Sequence, residues 1–434
     1  MSISKLSVVT SKLSICMPSA IYGLMQTLFT EVHHQKFMTV FKTLKHLFEI
    51  PENIIYLDGN SLGLLPKSVG QHVDQVIREE WGQGLITSWN KAGWMEQPAR
   101  VGNTIANLVG ADTDSIVVGD TLTIKVYQAL ASALIMRPDR RVILSDKDNF
   151  PADLYMAQGL IRMLGKDHEL RLVDFDSMPS AIDNDTAVVL LTEVSYRTGR
   201  MYDMNAITEK AQSNGAVMIW DLAHSAGAIP VNLKDSNCEF AVGCTYKYLN
   251  GGPGSPAFIY VRPDLIEQTT PALMGWLGHD APFSFEQFYR PSGGIERMRV
   301  GTPSVIQMSA LEEALKIWQG IDLRDIRQAS IKLSERFIQQ VESRCPSLVL
   351  ESPRDSAIRG SQVSFSFEHS YGTMQALIAN GVIGDFRAPN LLRFGFAPLY
   401  LDEQDVDVAV DRLVEVLDKK LWNNPSYAVA NRVT

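Results

Sequence analysis

The chain has 434 residues, 45% of them apolar and 21% charged, and its formal net charge at pH 7 is −9. A chain of this length buries a large core and is expected to form two domains, while its acidic balance excludes a typical nucleic-acid-binding protein, which carries a basic patch. Its four cysteines have no Cys-x-x-Cys spacing, so they exclude a disulfide framework and predict a reducing, cytoplasmic location.

Two further classes of protein are excluded by pattern. No apolar run reaches the roughly 20 residues that a membrane-spanning helix needs, so no membrane association is expected. The eight histidines include no His-Glu-x-x-His pair, so no metal site is expected. We interpret residues 1–37 as a leader outside the mature fold, with Met38 as a candidate start, and a weak targeting or membrane-surface segment is the alternative.

The elements that follow predict an α/β fold. Helices are expected over 69–81 and 99–109, after a turn cluster at 58–61. From about 112 to 305 short apolar runs alternate with helical stretches, as a mostly parallel sheet requires. Seven strands are predicted in this part, at 115–118, 141–144, 169–173, 187–191, 216–220, 240–243 and 257–261.

The last third of the chain predicts a smaller α+β domain. Helices are expected over 305–320, 325–345, 371–380 and 403–420, with strands at 362–367 and 391–396. We therefore predict a segment 38–80 that joins the small domain, a large domain 81–305, a small domain 306–424 and a tail 425–434.

A lysine and an aspartate follow two of the predicted strands. Asp221 directly follows the run at 216–220, and Lys247 comes shortly after the run at 240–243. Ligand sites in open α/β sheets lie at the carboxyl ends of the strands, so the two side chains are expected to lie close together. A lysine amine can hold the aldehyde of pyridoxal 5′-phosphate (PLP) as a Schiff base, while a carboxylate keeps the pyridine nitrogen protonated. The pair predicts a PLP site, although a capping aspartate and a solvent lysine are each common alone.

Other positions extend this candidate site. Residues 119–123 precede a helix predicted over 124–136, and a helix N-terminus is a ready anion site for the cofactor phosphate. Phe150 is a candidate to stack on the pyridine ring, and Asp153 to contact its polar substituents. Ordinary helix capping and a core phenylalanine are the alternatives.

These residues resemble the kynureninases, PLP enzymes of aminotransferase fold type I and its class V group, from Tyr56 to about Leu421. The resemblance implies a large domain with a mostly parallel seven-stranded sheet and a smaller α+β domain. It implies hydrolysis of L-kynurenine to anthranilate and L-alanine in a homodimer with shared active sites. Whether the reaction serves tryptophan catabolism, cofactor synthesis or production of an anthranilate-derived metabolite stays open. The matching pieces are LDGNSLG at 57–63, WGQGLITSW at 81–89, FPAD at 150–153, DLAH at 221–224, YKYLN at 246–250, GWLGH at 275–279 and GTP at 301–303.

The resemblance also implies roles for single residues. Lys247 would hold PLP and remove the substrate α-proton, Asp221 would pair with the pyridine nitrogen, and Tyr246 is a candidate proton donor. Arg393 would bind the substrate carboxylate, with Arg387 as the alternative. The remaining cofactor contacts are implied for Leu122, Thr123, Phe150, Asp153, Thr192, His224, Trp276 and Thr302, and substrate contacts for Trp89 and Asn60.

Substrate choice and rival functions depend on a few positions. Family members that favour 3-hydroxykynurenine tend to have asparagine where this chain has Thr302 and histidine near 88–90, so a modest preference for kynurenine is expected. A cysteine desulfurase-like lyase is an alternative that would need Cys345 as a reactive thiol. A PLP-binding regulator without turnover would need a DNA-binding arm, and residues 1–37 are too short and too weakly basic to form one.

Overall fold

The computed structural model describes residues 44–165 and 167–427. The predicted leader at 1–37, the candidate start Met38 and most of the predicted tail lie outside these residues. The strands are β1 Ile55–Tyr56, β2 Ile116–Val118, β3 Val142–Asp146, β4 Glu169–Val173, β5 Thr186–Thr192, β6 Val217–Asp221, β7 Phe240–Gly243, β8 Phe258–Val261, β9 Val349–Leu350, β10 Gln362–Ser366, β11 Val382–Ile383, β12 Asp385–Arg387 and β13 Leu391–Gly395.

The helices lie between these strands as the alternating pattern predicts. The helix predicted over 69–81 begins at Lys67 and continues beyond Gln75 as a π-helical turn, Val76–Trp81. The α-helices are α1 Lys67–Gln75, α2 Ser88–Lys91, α3 Gln97–Leu108, α4 Leu122–Ile135, α5 Pro151–Leu164, α6 Met178–Ala181, α7 Met204–Ser213, α8 Leu233–Ser236, α9 Val305–Leu315, α10 Leu323–Arg344, α11 Ser370–Ala379 and α12 Glu403–Asp418.

The central sheet has seven strands in the order β2-β8-β7-β6-β5-β3-β4. Strands β4, β3, β5, β6 and β7 pair in parallel, and β8 pairs antiparallel with both β7 and β2. Every residue of β5 and β6 is buried, because helices cover both faces of a parallel sheet and its strands are then continuous apolar runs. The predicted α/β fold with a mostly parallel seven-stranded sheet is confirmed.

The hydrophobic core has one part on each face of this sheet. Helices α4 and α5 bury residues such as Val126 and Leu160 on one face. On the other face, α3 and α7 pack in a cluster that continues through α10 into the small sheet. The two sheets therefore share one continuous core on that side.

The C-terminal part forms an antiparallel sheet in the order β12-β13-β10-β9. Its register sets Arg393 of β13 opposite Asp385 of β12 and Ser364 of β10. Strand β1 pairs in parallel with β11, so the chain near Ile55 is joined to this C-terminal part. Among residues 44–165 and 167–427 no helix combines the length and apolar character needed to cross a membrane.

Candidate active site

Lys247 and Asp221 lie at the ends of adjacent parallel strands. Asp221 is the last residue of β6 and pairs in register with Val242 of β7, and the loop after β7 carries Lys247. Lys247 Nζ lies 2.9 Å from Nε2 of His224, which follows β6 in the same DLAH piece. Asp221 and His224 are both buried. The structure thus brings together the amine, the carboxylate and the imidazole that the sequence singled out.

Burial favours the neutral forms of the Lys247 amine and the His224 imidazole. It lowers the pKa of Lys247, the neighbouring Cys244 and Asp221 oppose that shift, and the guanidiniums of Arg393 and Arg387 add to it. Burial also lowers the pKa of His224 well below its usual value, with a further contribution from the charge of Lys247. A lysine with a lowered pKa has more of the neutral amine that nucleophilic and base chemistry require.

Two carboxyl groups meet beside this amine. Asp221 Oδ1 accepts a hydrogen bond from the Ala223 N–H at 2.8 Å, and its Oδ2 lies 3.4 Å from the Thr192 hydroxyl. Burial raises the pKa of Asp221 to about 6, while Lys247 opposes the shift. Asp153 is buried, its Oδ2 has no hydrogen-bond partner among the described residues, and burial with the charge of Asp221 raises its pKa well above the usual value. A carboxyl oxygen that lacks a donor, as Oδ2 of Asp153 does, suits a ligand that brings N–H or O–H groups, as protonated PLP does.

Asn149 is a site residue that the sequence analysis missed. Its Oδ1 lies 2.5 Å from the Thr192 hydroxyl, and its Nδ2 donates to the Ser145 hydroxyl at 3.1 Å. These contacts orient Thr192 next to Asp221. The only local signal was the position of Asn149 directly before the candidate residue Phe150.

Phe150 presents an open ring to the site. Phe150 directly precedes Pro151, the first residue of α5, and its side chain is 42% exposed. The ring packs edge-on against Tyr196 with centroids 5.3 Å apart. Lys247 Nζ lies 6.0 Å from the Phe150 centroid and 5.9 Å from that of Tyr246. Such a ring has a free face for stacking a planar heterocycle.

The N-terminus of α4 lies where the sequence predicted the anion site. Its N-cap, Thr121, has extended backbone angles and makes no side-chain capping hydrogen bond. Because the first N–H groups of a helix have no intrahelical acceptor, those of Leu122 and Thr123 are available to a phosphate, together with the Thr123 hydroxyl.

The turn at 58–63 supports the lysine loop from the other side. Gly63 N–H donates to the Tyr246 carbonyl at 2.8 Å, and a Cβ at Gly63 would lie 2.3 Å from the Lys247 carbonyl oxygen. Only glycine allows this close approach of two backbones. Asn60 of the same turn is fully buried, and its side-chain oxygen and nitrogen have no partners among the described residues. The turn therefore delivers an unsatisfied amide close to the loop that carries Lys247.

Arg393 lies in β13 and is held by the adjacent strand. Its Nε donates to Oδ1 of Asp385 at 2.7 Å, and its Nη2 contacts Oδ2 of the same carboxylate. Nη2 also donates to the Ser61 hydroxyl at 2.9 Å, and Nη1 to the Tyr196 carbonyl at 2.5 Å. Arg393 is not a surface residue, since its side chain is only 2% exposed. The partners Asp385 and Ser61 were not predicted.

Three residues that were predicted to contact the cofactor or the substrate are not linked to Lys247 within one chain. Trp276 is 43% exposed and packs edge-on against Phe283, Thr302 is exposed, and Trp89 packs edge-on against Trp94. No hydrogen bond or ring contact in the described part of the chain links any of the three to Lys247 or Asp221. Thr302 instead lines a cavity of about 60 Å³ together with Gly119 and Asp120, just before α4.

Tyr246 and Cys345 differ from what their predicted chemistry requires. Burial, the neighbouring Cys244 and the charge of Asp221 raise the pKa of Tyr246, so the phenol keeps its proton. Cys345 is buried at the end of α10, and burial raises the pKa of its thiol to about 11. A reactive thiol needs exposure and a lowered pKa, so the desulfurase alternative is not favoured. The described residues contain no group of three or more His, Cys, Asp or Glu side chains arranged to bind a metal.

The amino-acid sequence is similar to those of the kynureninases. The family model described as the kynureninase C-terminal domain matches residues 326–413. Kynureninase of Burkholderia mallei (strain SAVP1) is 48% identical over 398 residues, covering 90% of this chain and 96% of the relative. Kynureninase of Pseudomonas fluorescens is 47% identical over 398 residues, with the same shares covered.

Solved structures at lower identity share the fold. The apo cysteine desulfurase of Thermococcus onnurineus NA1 superposes with a TM-score of 0.74 at 18% identity, over 87% of this chain and 98% of its own. The C-DES protein with glycine covalently linked to its PLP cofactor gives a TM-score of 0.74 at 17% identity, over 86% of this chain and 99% of its own. These similarities establish the fold of a PLP-dependent enzyme and nothing finer.

Proposed function

The chain belongs to the kynureninase family, and on that basis we propose that it hydrolyses L-kynurenine to anthranilate and L-alanine with PLP as its cofactor. It is thus a PLP-dependent hydrolase of carbon–carbon bonds. The observation that carries the proposal is the half-buried Lys247 amine, 2.9 Å from His224 at the strand ends where Asp221 also lies.

The residues described above fit PLP, which supplies an electron sink when bound. We propose that Lys247 holds the cofactor aldehyde, that Asp221 pairs with the ring nitrogen and that Phe150 covers one face of the ring. Asp153, Thr192 and His224 would complete the wall of the pocket. The N–H groups of Leu122 and Thr123 would bind the phosphate.

Proton transfer then depends on groups with shifted pKa values. The lowered pKa of Lys247 favours its neutral amine, which can accept the α-proton of the substrate. His224 remains neutral because it is buried, and it can hold the amine in position. Tyr246 keeps its proton up to high pH, so it could donate that proton late in the reaction only if a nearby positive charge lowered its raised pKa. Arg393 and Asn60 would bind the polar groups of the substrate.

The test is the absorbance of the purified protein, followed by addition of L-kynurenine. We expect a yellow protein that releases anthranilate, detected by its fluorescence, and an equal amount of L-alanine. A yellow protein that leaves kynurenine unchanged would overturn the substrate, and a protein that cannot be reconstituted with PLP would overturn the cofactor site.

Thr302 provides a prediction about substrate choice. Replacing it with asparagine is expected to raise the ratio of kcat/KM for 3-hydroxykynurenine over kynurenine by about tenfold, because the longer amide can hydrogen-bond the added hydroxyl. Steady-state kinetics with both substrates measures the ratio. Thr302→Ser, which keeps a short hydroxyl, is the matched control and should leave the ratio unchanged. An unchanged ratio in Thr302→Asn would remove this residue from the specificity pocket.

We propose a homodimer whose partner completes each active site. Trp276 and Thr302 match cofactor residues of the family, yet both are exposed and separate from Lys247 within one chain. Large apolar side chains are exposed in the same chain segment as Trp276, residues 274–288, and clustered apolar side chains on a surface mark interaction sites. This patch comprises Met274 at 59% exposure, Phe283 at 63%, which packs against Trp276, Phe285 at 79% and Phe288 at 84%.

A charge in this patch should separate the subunits. We expect the double substitution Phe285→Asp with Phe288→Asp to shift the protein from dimer to monomer in sedimentation velocity, because an unpaired carboxylate is costly to bury. PLP affinity should fall by about tenfold or more as the partner's contribution is lost. The control is Val349→Asp at the edge strand β9, where the side chain is 60% exposed. A variant that stays dimeric with unchanged PLP affinity would contradict the shared site.

The cellular location and the domain boundaries are two further parts of the proposal. We propose a cytoplasmic enzyme, in keeping with Cys238, Cys244 and Cys345, which are free and buried. We also propose the division into a large domain 81–305 and a small domain 306–424, with 38–80 joined to the small domain. The pairing of β1 with β11 and the separate antiparallel sheet support this division.

A further inference from the structure

His224 has one ring nitrogen with a partner and one without. Its Nε2 lies 2.9 Å from Nζ of Lys247, whereas its Nδ1 is buried and has no hydrogen-bond partner among the described residues. A neutral imidazole carries its proton on one nitrogen and a lone pair on the other. Which nitrogen is protonated is set by the hydrogen bond that the other one makes. The group that faces Nδ1 therefore decides what His224 presents to Lys247.

Gln362 has a buried amide oxygen without a partner. It is the first residue of β10, and its Nε2 donates to the carbonyl of Ser195 at 3.0 Å and to that of Tyr196 at 2.9 Å. Since a carbonyl can only accept, these two contacts fix the orientation of the amide. Its Oε1 is buried and has no hydrogen-bond partner among residues 44–165 and 167–427. The amide thus has one acceptor atom to offer.

The backbone around Gln362 is held against the loops that follow β5 and β6. The Gly360 N–H donates to the Gly199 carbonyl at 2.7 Å, and the Ser361 hydroxyl donates to the Ala228 carbonyl at 3.0 Å. A Cβ at Gly199, where φ is 72°, would lie 2.8 Å from the Gln362 carbonyl oxygen. These contacts bring the start of β10 to the strand ends that carry the site.

The Gln362 side chain is close enough to act on the imidazole. Burial lowers the pKa of His224, and the charges of Lys247, Arg393 and Arg387 lower it further, whereas the Gln362 side chain raises it. An amide raises the pKa of a histidine when its oxygen accepts a hydrogen from the ring. Because Nε2 faces Lys247, the nitrogen left for this oxygen is Nδ1. The two atoms do not form a hydrogen bond of ordinary geometry, as is frequent in active sites before the substrate binds.

The two tautomers of His224 have opposite effects on Lys247. With the proton on Nδ1, Nε2 accepts a hydrogen from the amine, and the lone pair of Lys247 stays free to accept a proton or attack a carbonyl. With the proton on Nε2, the imidazole donates to that lone pair and occupies it. The first tautomer therefore suits a lysine that acts as base and nucleophile.

We propose that Gln362 is a positioning residue, whose amide oxygen holds His224 in the tautomer with the proton on Nδ1 and thereby keeps the lone pair of Lys247 free. The inference rests on the role proposed for Lys247. Because Gln362 belongs to the C-terminal antiparallel sheet, the amine is prepared only when that sheet is packed against residues 195–196.

The tautomer of His224 is measured by NMR. Full-length protein labelled with 15N-histidine and freed of PLP gives different 15N shifts for protonated and unprotonated ring nitrogens, and His224→Asn identifies the His224 signals. We expect the proton on Nδ1 in wild type at pH 8. In Gln362→Met, which removes the acceptor but keeps the size, we expect it on Nε2 in most molecules. Gln362→Glu should keep it on Nδ1, because a carboxyl oxygen still accepts it.

The reactivity of Lys247 provides a second measurement. PLP is added to the PLP-free protein, and the rise in visible absorbance gives the rate constant for bonding to the lysine. We expect Gln362→Met to lower this rate constant, and kcat on L-kynurenine, by about five- to tenfold, the effect of one buried hydrogen bond. KM should change by less than about twofold, because Gln362 binds no part of the substrate.

Gln97 provides the matched control. It is buried, its Nε2 donates to the Ser309 hydroxyl at 3.0 Å and to Oε2 of Glu312 at 2.9 Å, and its Oε1 has no partner among the described residues. Gln97→Met therefore removes the same groups, but at the start of α3 instead of β10. Its His224 tautomer and its rate constant should equal those of wild type.

Several outcomes would overturn the inference. They are an unprotonated Nδ1 in wild type, the wild-type tautomer or the wild-type rate constant in Gln362→Met, and loss of the Nδ1 proton in Gln362→Glu, which would make Gln362 a structural link to residues 195–196. If Gln362→Met does not fold by circular dichroism, the spectra of wild type and Gln362→Glu still decide. Failure of wild type to cleave kynurenine would overturn the proposed function alone, because neither the 15N shifts nor the reaction with PLP needs that substrate.

Discussion

Replacing Lys247 with alanine is expected to abolish turnover, with kcat lower by about four orders of magnitude or more, as for other residues that bond covalently to the reacting group. The amine is half-buried, lies 2.9 Å from His224 and is close enough to Asp221 to feel its charge, and no other lysine side chain among the described residues has an equivalent position. The visible absorbance that arises from cofactor bonded to the lysine should disappear as well. Anthranilate fluorescence and the absorbance spectrum measure the two effects.

A surface lysine provides the control for this substitution. Lys147 pairs with Asp174 at 2.5 Å, and its side chain is 51% exposed, so Lys147→Ala should retain wild-type spectrum and rate. Circular dichroism establishes that both variants fold. If Lys247→Ala kept its visible band and a tenth or more of the activity, Lys247 would not be the residue that holds PLP.

Replacing Asp221 with asparagine should have the next largest effect. The substitution keeps the shape but removes the charge that holds the ring nitrogen protonated, and we expect kcat to fall by about 10²- to 10³-fold, the usual effect of one preorganised electrostatic group. Cofactor affinity should fall too. Both are measured with purified variant after titration with PLP. Asp174→Asn, at a side chain that is 68% exposed, is the matched control.

The same carboxylate predicts a pH dependence of PLP affinity. Burial raises the pKa of Asp221 to about 6, and a protonated ring nitrogen binds best to the ionised carboxylate. Affinity should therefore be highest above pH 6 and should fall as the pH drops through that value. The dependence should be absent in Asp221→Asn, which cannot ionise. A wild-type affinity that stays constant from pH 5 to pH 8 would contradict the pairing.

Helix and strand positions were largely predictable from local pattern. The seven strands of the central sheet were predicted within a few residues, and two of them, at 169–173 and 240–243, coincide with the observed bounds. Hydrophobic periodicity and turn residues were sufficient to locate the strands, because each buried strand is a short continuous apolar run between polar segments. The boundary differences are of the expected kind: the run assigned to 216–220 includes Asp221 as its last strand residue.

The neighbours of the site residues were not predictable in this way. Asn149 meets Thr192 across 43 positions, and Arg393 meets Ser61 across 332. Such contacts depend on strand order and register, which leave no local periodicity in the chain. The open choice between Arg393 and Arg387 is of the same kind, because Asp385 acquires its two partners through the pairing of β12 with β13.

The sequence by itself determined the α/β architecture, the position of Lys247 and Asp221 at strand ends and, through its ordered motifs, the resemblance to the kynureninases. These depend on hydrophobic period and on residue types at fixed local spacing. Only the tertiary structure decided the charges of the site. It decided which carboxyl oxygens lack hydrogen-bond donors and which of the two arginines is more exposed. It also decided the direction in which burial shifts the pKa of Lys247 and of Asp221. Desolvation and partner distance are properties of the packed chain, because they arise from side chains that meet only after folding.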